Sequence, residues 1–119
     1  MKLKNILLVV NDIEVSKKFY TELFGLMVKV DFGKNVMLTE GLVLQEKIVW
    51  EEALGKEVCI GGHDAELYFE EADMDGFLRK LADADILSPC MKDANGQRVV
   101  RLYDPDKHVI EVKEVVWGR

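Results

Sequence analysis

The feature that most constrains the fold of this sequence is one order of predicted elements, β-α-β-β-β, that occurs twice along it. In the first half, residues 3–10 are rich in Leu, Ile and Val, which is typical of a short buried strand. Asn11 and Asp12 suit the start of a helix, because a capping side chain is followed by Glu14. Gly25 suits the end of that helix. Three β-favouring segments bounded by glycine follow, at residues 26–32, 35–38 and 42–47.

The second half repeats this order. Residues 65–71 alternate as a strand, and Asp73 suits the cap of a second helix. The extended segments that follow are residues 86–90, 97–103 and 108–115. Asp104 and Pro105 begin a tight turn between the last two of them. The spacing agrees with a duplication, since Asn5 precedes Asp12 by the same seven residues that separate Glu66 from Asp73.

A lone βαβββ unit of roughly 55 residues would bury little core, so the two units are expected to pack together. The sequence therefore predicts an α+β fold, with a single domain over residues 1–119. Its first module spans about residues 1–50, a connection spans about 51–64, and the second module spans about 65–119. In the first helix, Val15, Phe19 and Leu23 form an apolar stripe that is predicted to face the sheet.

Charge and composition exclude several classes of function. With 16 basic and 22 acidic residues, the chain carries a net charge of −6, which argues against nucleic acid and against an anionic membrane surface as partners. No apolar run approaches the ~20 residues of a membrane span, and the N-terminal residues lack the pattern of a signal peptide. Cys59 and Cys90 stand far apart without a metal-binding spacing and are predicted to be reduced, mostly buried thiols. We expect a cytoplasmic protein.

Two stretches resemble the vicinal oxygen chelate superfamily, which includes glyoxalase I, bleomycin-resistance proteins and extradiol dioxygenases. Residues 12–26 are similar to its D-x-x-x-S-x-x-F-Y-x-x-x-x-G-L motif. Residues 101–112 are similar to its R-x-x-D-P-D-G-x-x-I-E ending, which an apolar residue follows. The resemblance implies that the paired modules form a half-open, eight-stranded, barrel-like sheet around a pocket. Many members hold a divalent metal there, whereas bleomycin-resistance proteins bind a drug without metal, usually as dimers.

The resemblance also implies four positions for metal ligands or their replacements, namely Asn5, Gln45, Glu66 and Glu111. Asn5 and Glu66 stand where histidines are usual, and Gln45 stands where a carboxylate is usual. Only Glu111 matches the superfamily directly. Local spacing singles out two of the same residues, because Asn5 and Glu111 are polar on strand faces that otherwise carry apolar residues. Two carboxylates and two amides suit at most weakly bound Mg²⁺ or Mn²⁺, so no tightly bound cofactor is expected.

Other residues are candidates for ligand binding or for structure. Arg101 is suited to an anionic ligand, or it pairs with a neighbouring acid. Trp50, Tyr68 and Trp117 are candidate aromatic walls of a pocket, or part of the core or dimer packing. His63 and His108 are predicted to be solvated surface residues, with His108 pointing away from Glu111.

These observations predict a homodimer that binds a small molecule in its pocket without a histidine-based metal site. Asn5, Gln45, Trp50, Tyr68 and Arg101 are the candidate ligand-binding residues, with Glu66 and Glu111 as candidate catalytic residues. The first alternative is a divalent-metal-dependent lyase or isomerase of the glyoxalase type that uses Glu66 and Glu111. The second is a partner-binding module with a vestigial pocket.

Overall fold

The computed structural model describes residues 1–115 and contains two compact units, one from Met1 to Ile60 and one that begins at Gly61. Each unit has one four-stranded mixed sheet, and neither sheet is closed. The α+β class and the doubled βαβββ order are therefore confirmed. Residues 116–119, at the end of the predicted second module, lie outside the described part of the chain, and with them the candidate aromatic residue Trp117.

The first unit consists of β1 (Ile6–Val10), α1 (Ile13–Glu22), β2 (Val28–Asp31), β3 (Asn35–Leu38), β4 (Leu42–Glu46) and α2 (Lys47–Leu54). Its strands lie in the order β1-β4-β3-β2, with β1 parallel to β4 and the other pairs antiparallel. The predicted cap is confirmed, because the Asp12 side chain accepts hydrogen bonds from the backbone N–H groups of Glu14 and Val15 at 3.0 and 3.2 Å. The Ile13 N–H donates to the Glu46 carboxylate at 3.3 Å, which fixes the start of α1 against β4.

The predicted phase of α1 is wrong. Its buried residues are Ile13, Ser16 and Tyr20, whereas Val15 is 49% exposed. Phe19 is half-buried and packs edge-on against the Tyr20 ring, with 5.0 Å between the ring centroids. The helix carries two apolar stripes, and a small polar residue, Ser16, interrupts the one that is buried. A stripe interrupted in this way is difficult to recognise from hydrophobic periodicity.

Two boundaries in the first unit differ from the prediction. β1 begins at Ile6 rather than at residue 3, so Asn5 precedes the strand and is exposed. Residues after Glu46, predicted to end a strand and continue as a connection, form the helix α2. The Glu46 side chain makes no capping hydrogen bond, so the sequence offered no start signal for this helix. Gly55 ends α2 in the left-handed conformation, with φ of 68°.

The second unit consists of β5 (Glu66–Glu71), α3 (Met74–Arg79), β6 (Asp85–Lys92), β7 (Arg98–Tyr103) and β8 (Val109–Glu114). The strand order is β5-β8-β7-β6, with β5 parallel to β8 and the other pairs antiparallel. The Asp73 side chain caps α3 by accepting from the Gly76 N–H at 3.0 Å, as predicted. The predicted turn also forms, since the Lys107 N–H donates to the Asp104 carbonyl at 3.1 Å.

The two faces of the second sheet differ in character. One face carries the buried residues Val100, Leu102, Ile110 and Val112. Arg98 lies on this same face of β7 and forms an ion pair with Asp75 of α3, so α3 lies on this side of the sheet. Side chains at the alternate positions point to the opposite face, which we call the helix-free face because α3, the one helix within residues 61–115, lies on the other side of the sheet.

Candidate functional site

Polar and aromatic side chains line the helix-free face of the second sheet. Across its centre, Tyr68 of β5 pairs with Glu111 of β8, Glu111 pairs with Arg101 of β7, and Arg101 pairs with Ser88 of β6. Residues in direct register lie within about 5.5 Å of each other, so this row brings a phenol, a carboxylate and a guanidinium together. Three of the residues predicted from sequence thus meet on one surface.

Glu111 and Arg101 form an ion pair at the centre of this row, between Arg101 Nη2 and Glu111 Oε1. The Glu111 side chain is 14% exposed and the Arg101 side chain 44%, so the carboxylate lies below a guanidinium that reaches solvent. Of the two interpretations of Arg101, pairing with a neighbouring acid is the one observed. The cation that compensates Glu111 is therefore supplied by the chain itself.

Arg98, on the same strand as Arg101, has acceptors for several of its N–H groups, whereas, among the described residues, Arg101 does not. Arg98 Nη1 bonds Asp75 at 2.7 Å, while its Nη2 and Nε bond Glu114 at 2.7 and 3.2 Å. These hydrogen bonds raise the pKa of Arg98. Arg101 makes one ion pair, with Glu111, and within residues 1–115 most of its N–H groups have no other protein acceptor.

Tyr68 extends the polar row towards the edge of the sheet. It is 49% exposed, and Glu66 and Glu70 lie on the same face of β5 at either side of it. Its hydroxyl approaches the Glu70 carboxylate at 3.5 Å. Burial raises the pKa of the Tyr68 phenol, and the negative charge of Glu70 raises it further. Tyr68 is thus a neutral aromatic surface beside two carboxylates.

Glu66 lies on the helix-free face but not directly beside Glu111. It is exposed, begins β5 and pairs with Val109, two residues before Glu111 on β8. Such diagonal neighbours are about 7–8 Å apart. The group that contacts Glu111 is Arg101 rather than Glu66.

In the first unit, Gln45 is held by a neighbouring amide. Gln45 is buried on β4, and its Oε1 accepts a hydrogen bond of 2.9 Å from Asn35 Nδ2. Val9 is its partner on β1, and Asn5 lies four residues earlier, roughly 13 Å along the strand direction. The first unit therefore does not bring Asn5 and Gln45 together. Trp50 lies on α2 rather than on a strand and is half-buried.

The strand registers identify which positions of the two units correspond. Ile6 lies six residues before the helix cap Asp12, and Leu67 lies six residues before the helix cap Asp73, so we treat the two as equivalent. Ile6 pairs with Leu42 in the first unit, and Leu67 pairs with Ile110 in the second. Counting one residue further, the counterpart of Glu111 is Val43, which is apolar and buried, and not Gln45. The sequence alignment of Gln45 with a metal-ligand position is displaced by two residues from this correspondence.

The donors do not fit the histidine-based metal site of the superfamily. The set contains no imidazole, one position corresponds to a valine, and Glu111 is already paired with a guanidinium. Within residues 1–115, no group of three or more His, Cys, Asp or Glu side chains is arranged to hold a metal ion. In the same range, no helix is long and apolar enough to cross a membrane.

Sequence reasoning missed a second polar group on this sheet, which we call the Tyr103 cluster and define as His63, Asp85, Tyr103 and Lys107. Tyr103 lies two residues after Arg101 on β7 and so shares the helix-free face. His63, predicted to be a solvated residue, is exposed but has its Nε2 2.6 Å from the Tyr103 hydroxyl. The sequence did contain one indication of this cluster, because Lys107 stands where the ending of the superfamily motif has glycine.

His108 also differs from the prediction. Its side chain is only 18% exposed, and its Nδ1 lies 2.7 Å from the carboxylate of Asp104, which is fully buried. The same carboxylate accepts hydrogen bonds from the Asp106 and His108 N–H groups at 2.8 and 2.9 Å. His108 precedes β8, so it belongs to the turn and not to the helix-free face.

The chain is similar to known proteins over almost its whole length. The glyoxalase-like domain model matches residues 3–116. A protein of unknown function from Agrobacterium tumefaciens str. C58 is 35% identical, with 98% of this chain and 95% of that chain covered and a TM-score of 0.86. None of the curated proteins matches.

Two further solved structures share the fold at lower identity. A glyoxalase-related enzyme from Fulvimarina pelagi is 21% identical over 96% of this chain and 88% of its own, with a TM-score of 0.83. A glyoxalase/bleomycin resistance protein/dioxygenase family enzyme from Burkholderia phytofirmans PsJN is 17% identical over 95% and 98%, with a TM-score of 0.78.

Proposed function

This chain belongs to the glyoxalase-like domain family of the vicinal oxygen chelate superfamily, and on that basis we propose that it binds a small organic molecule over the helix-free face of its second sheet. In this proposal, the molecule is bound without a histidine-based metal site. Cys59 and Cys90 were predicted to be mostly buried, but both are exposed free thiols. The proposal also includes a cytoplasmic location, where such thiols remain reduced.

The observation that carries the proposal is the Arg101–Glu111 ion pair. Glu111 matches the position at which metal-binding relatives have a carboxylate ligand, and here the Arg101 guanidinium contacts it instead. A metal that bound Glu111 would have to displace this cation or accept its positive charge nearby. The pair thus favours a site in which an arginine, rather than a metal, faces the ligand.

The chemistry of this face indicates what kind of ligand it suits. The unused N–H groups of Arg101 are donors for a carboxylate, carbonyl or phenolate oxygen. The half-exposed ring of Tyr68 offers a flat apolar surface one strand beyond Glu111. A planar molecule with one oxygen acceptor satisfies both features, and Glu66 and Glu70 favour positive charge elsewhere on it.

The alternative, a divalent-metal-dependent lyase or isomerase, rests on Glu66 and Glu111. Both lie on the helix-free face of adjacent strands, and only oxygen donors are present, which suits Mg²⁺ or Mn²⁺ better than zinc or nickel. In this alternative the ion would stabilise the wild type, and the substitutions Glu66→Gln and Glu111→Gln would each remove that effect.

A thermal-shift experiment on the EDTA-treated protein separates these functions. We expect planar carboxylates or related oxygen acceptors from a panel of small molecules to raise the Tm without metal. A ligand at 100 times its Kd adds about 2.7 kcal/mol to the free energy of unfolding. Arg101→Gln should remove the rise.

Arg79→Gln is the matched control, because it removes the same charge from an exposed position on α3 and should leave the rise intact. Stabilisation by Mn²⁺ or Mg²⁺ alone, lost in Glu111→Gln, would contradict the proposal in favour of the metal-dependent enzyme. A protein that responds to neither metals nor small molecules would instead support the partner-binding module.

A further inference from the structure

The Tyr103 cluster places a base and a cation around one phenol. His63 Nε2 lies 2.6 Å from the Tyr103 hydroxyl, and the imidazole meets the phenol ring edge-on with 5.4 Å between the centroids. The Lys107 ammonium lies over the same ring, 4.7 Å from its centroid. Asp85 of β6 forms an ion pair with Lys107 and so anchors the ammonium beside the ring.

The backbone around the cluster adopts a conformation that side chains usually avoid. His63 and Lys107 have φ angles of 62° and 68°, in the left-handed region that favours glycine. A Cβ atom on Gly61 would meet the Lys107 Cβ at 3.1 Å and the Asp106 carbonyl at 3.2 Å, so this segment lies close against the turn. Strained positions of this kind persist where surrounding contacts enforce them, and they cluster at functional sites.

We propose that Tyr103 is an activated phenol and that the cluster is a proton-transfer site for a ligand with an acidic or acceptor oxygen. His63 Nε2 accepts the phenolic proton when its own ring proton is on Nδ1. The Lys107 ammonium stabilises the negative charge that develops on the phenol. Tyr103 and Arg101 lie two residues apart on one face of β7, roughly 7 Å, so one small molecule can reach both. The inference rests on the proposed function for its ligand, but the reactivity of the phenol is independent of it.

The chain contains an internal control, because it has three tyrosines. Tyr20 is fully buried. Tyr68 is 49% exposed, but its hydroxyl neighbour is the carboxylate of Glu70, which opposes phenolate formation. Tyr103 is half-buried, with an imidazole and an ammonium as neighbours. Exposure alone predicts that Tyr68 reacts first, whereas the proposal predicts Tyr103.

The test is labelling with an aryl fluorosulfate, followed by peptide mass spectrometry over time. In the labelling step, the Tyr103 oxygen forms a bond to sulfur, the S–F bond breaks, fluoride leaves and His63 takes the phenolic proton. We expect Tyr103 to be labelled before Tyr68. His63→Gln and Lys107→Gly should each slow the labelling of Tyr103 by about tenfold or more, in line with general-base effects. Glycine suits the φ of 68° at position 107, so that variant removes the cation without straining the turn.

Circular dichroism and thermal melts establish that the variants fold, and Tyr103→Phe confirms the labelled peptide. Labelling of Tyr68 at an equal or higher rate than Tyr103 would overturn the proposal, as would an unchanged Tyr103 rate in folded His63→Gln. If Lys107→Gly alone leaves the rate unchanged, the electrostatic role of Lys107 is wrong. The experiment uses protein without ligand, so its failure is distinguishable from failure of the proposed small-molecule binding.

Discussion

At the scale of single residues, His108 and Asp104 form the ion pair with the clearest dependence on pH. Burial lowers the pKa of His108, but the hydrogen bond to Asp104 and the charges of Asp104 and Asp106 outweigh it, so the pKa in the folded protein is raised. The buried Asp104 carboxylate therefore gains most from His108 when the imidazole is protonated.

Because the folded-state pKa lies above the ordinary value of 6.5, the stability that this pair contributes is fully present below about pH 6.5. It is lost as the pH rises through the raised folded-state value. We expect His108→Ala to lower the free energy of unfolding by about 1.5–3 kcal/mol at pH 5.5, as for a hydrogen bond to a charged group, and by less at pH 9. Urea unfolding at both pH values measures this, and an equal loss at both would show that His108 is not charged in the fold.

Residue-scale features were predictable where one side chain acts on its own backbone. Asp12, Asp73 and the turn at Asp104 were identified because caps and tight turns depend on a few adjacent residues. His63 and Tyr103 were not, because their contact joins positions 40 residues apart. Such a contact depends on how the strands pair in the folded sheet, which local sequence patterns do not show.

At the scale of elements, the phase of α1 decides which side chains carry the core of the first unit. Tyr20 is fully buried, whereas Phe19 is half-buried and Val15 is 49% exposed. We expect Tyr20→Ala to lower the free energy of unfolding by about 3–5 kcal/mol, Phe19→Ala by less, and Val15→Ala by under about 0.5 kcal/mol. Denaturant titrations of the three variants measure the order. If Phe19→Ala lowered the free energy of unfolding more than Tyr20→Ala did, the helix phase predicted from the sequence would be correct after all.

The elements that the sequence identified share strong local signals. The strands of both units alternate or are rich in branched residues, and their order was correctly predicted. α2 was missed because it has neither a side-chain cap nor a clear apolar face, and its residues Ile48, Val49 and Trp50 also suit a strand. Gln45 lies two residues after Val43, the position that strand pairing makes equivalent to Glu111. An alignment displaced by two residues keeps the same alternation of faces, so only the pairing with β1 distinguishes the two positions.

At the scale of the whole molecule, exposed apolar residues lie along edge strands. β2 ends the first sheet and β6 ends the second. Around these edges Met27, Phe32 and Met91 are 68%, 70% and 61% exposed. Unpaired edges with apolar side chains favour association with another chain. We therefore keep the proposal of a homodimer.

Size-exclusion chromatography with light scattering should give twice the chain mass of 13.6 kDa at micromolar concentration. Phe32→Glu should shift the protein towards the monomer, because a carboxylate placed among these apolar side chains would lose its hydration on association. Lys34→Glu, a nearby change of charge at another exposed position, is the control. A wild type that elutes as a monomer would refute the prediction.

Every strand pairing described above joins strands of the same unit, with no strand exchanged between the sheets. Each sheet nevertheless closes through a parallel pair of distant strands, with Ile6 opposite Leu42 in the first sheet and Glu66 opposite Val109 in the second, and such pairings form slowly. During synthesis, all four strands of the first sheet are available once residues up to Ile60 have left the ribosome. The first sheet can thus form on the ribosome while β8, which completes the second, has yet to be translated.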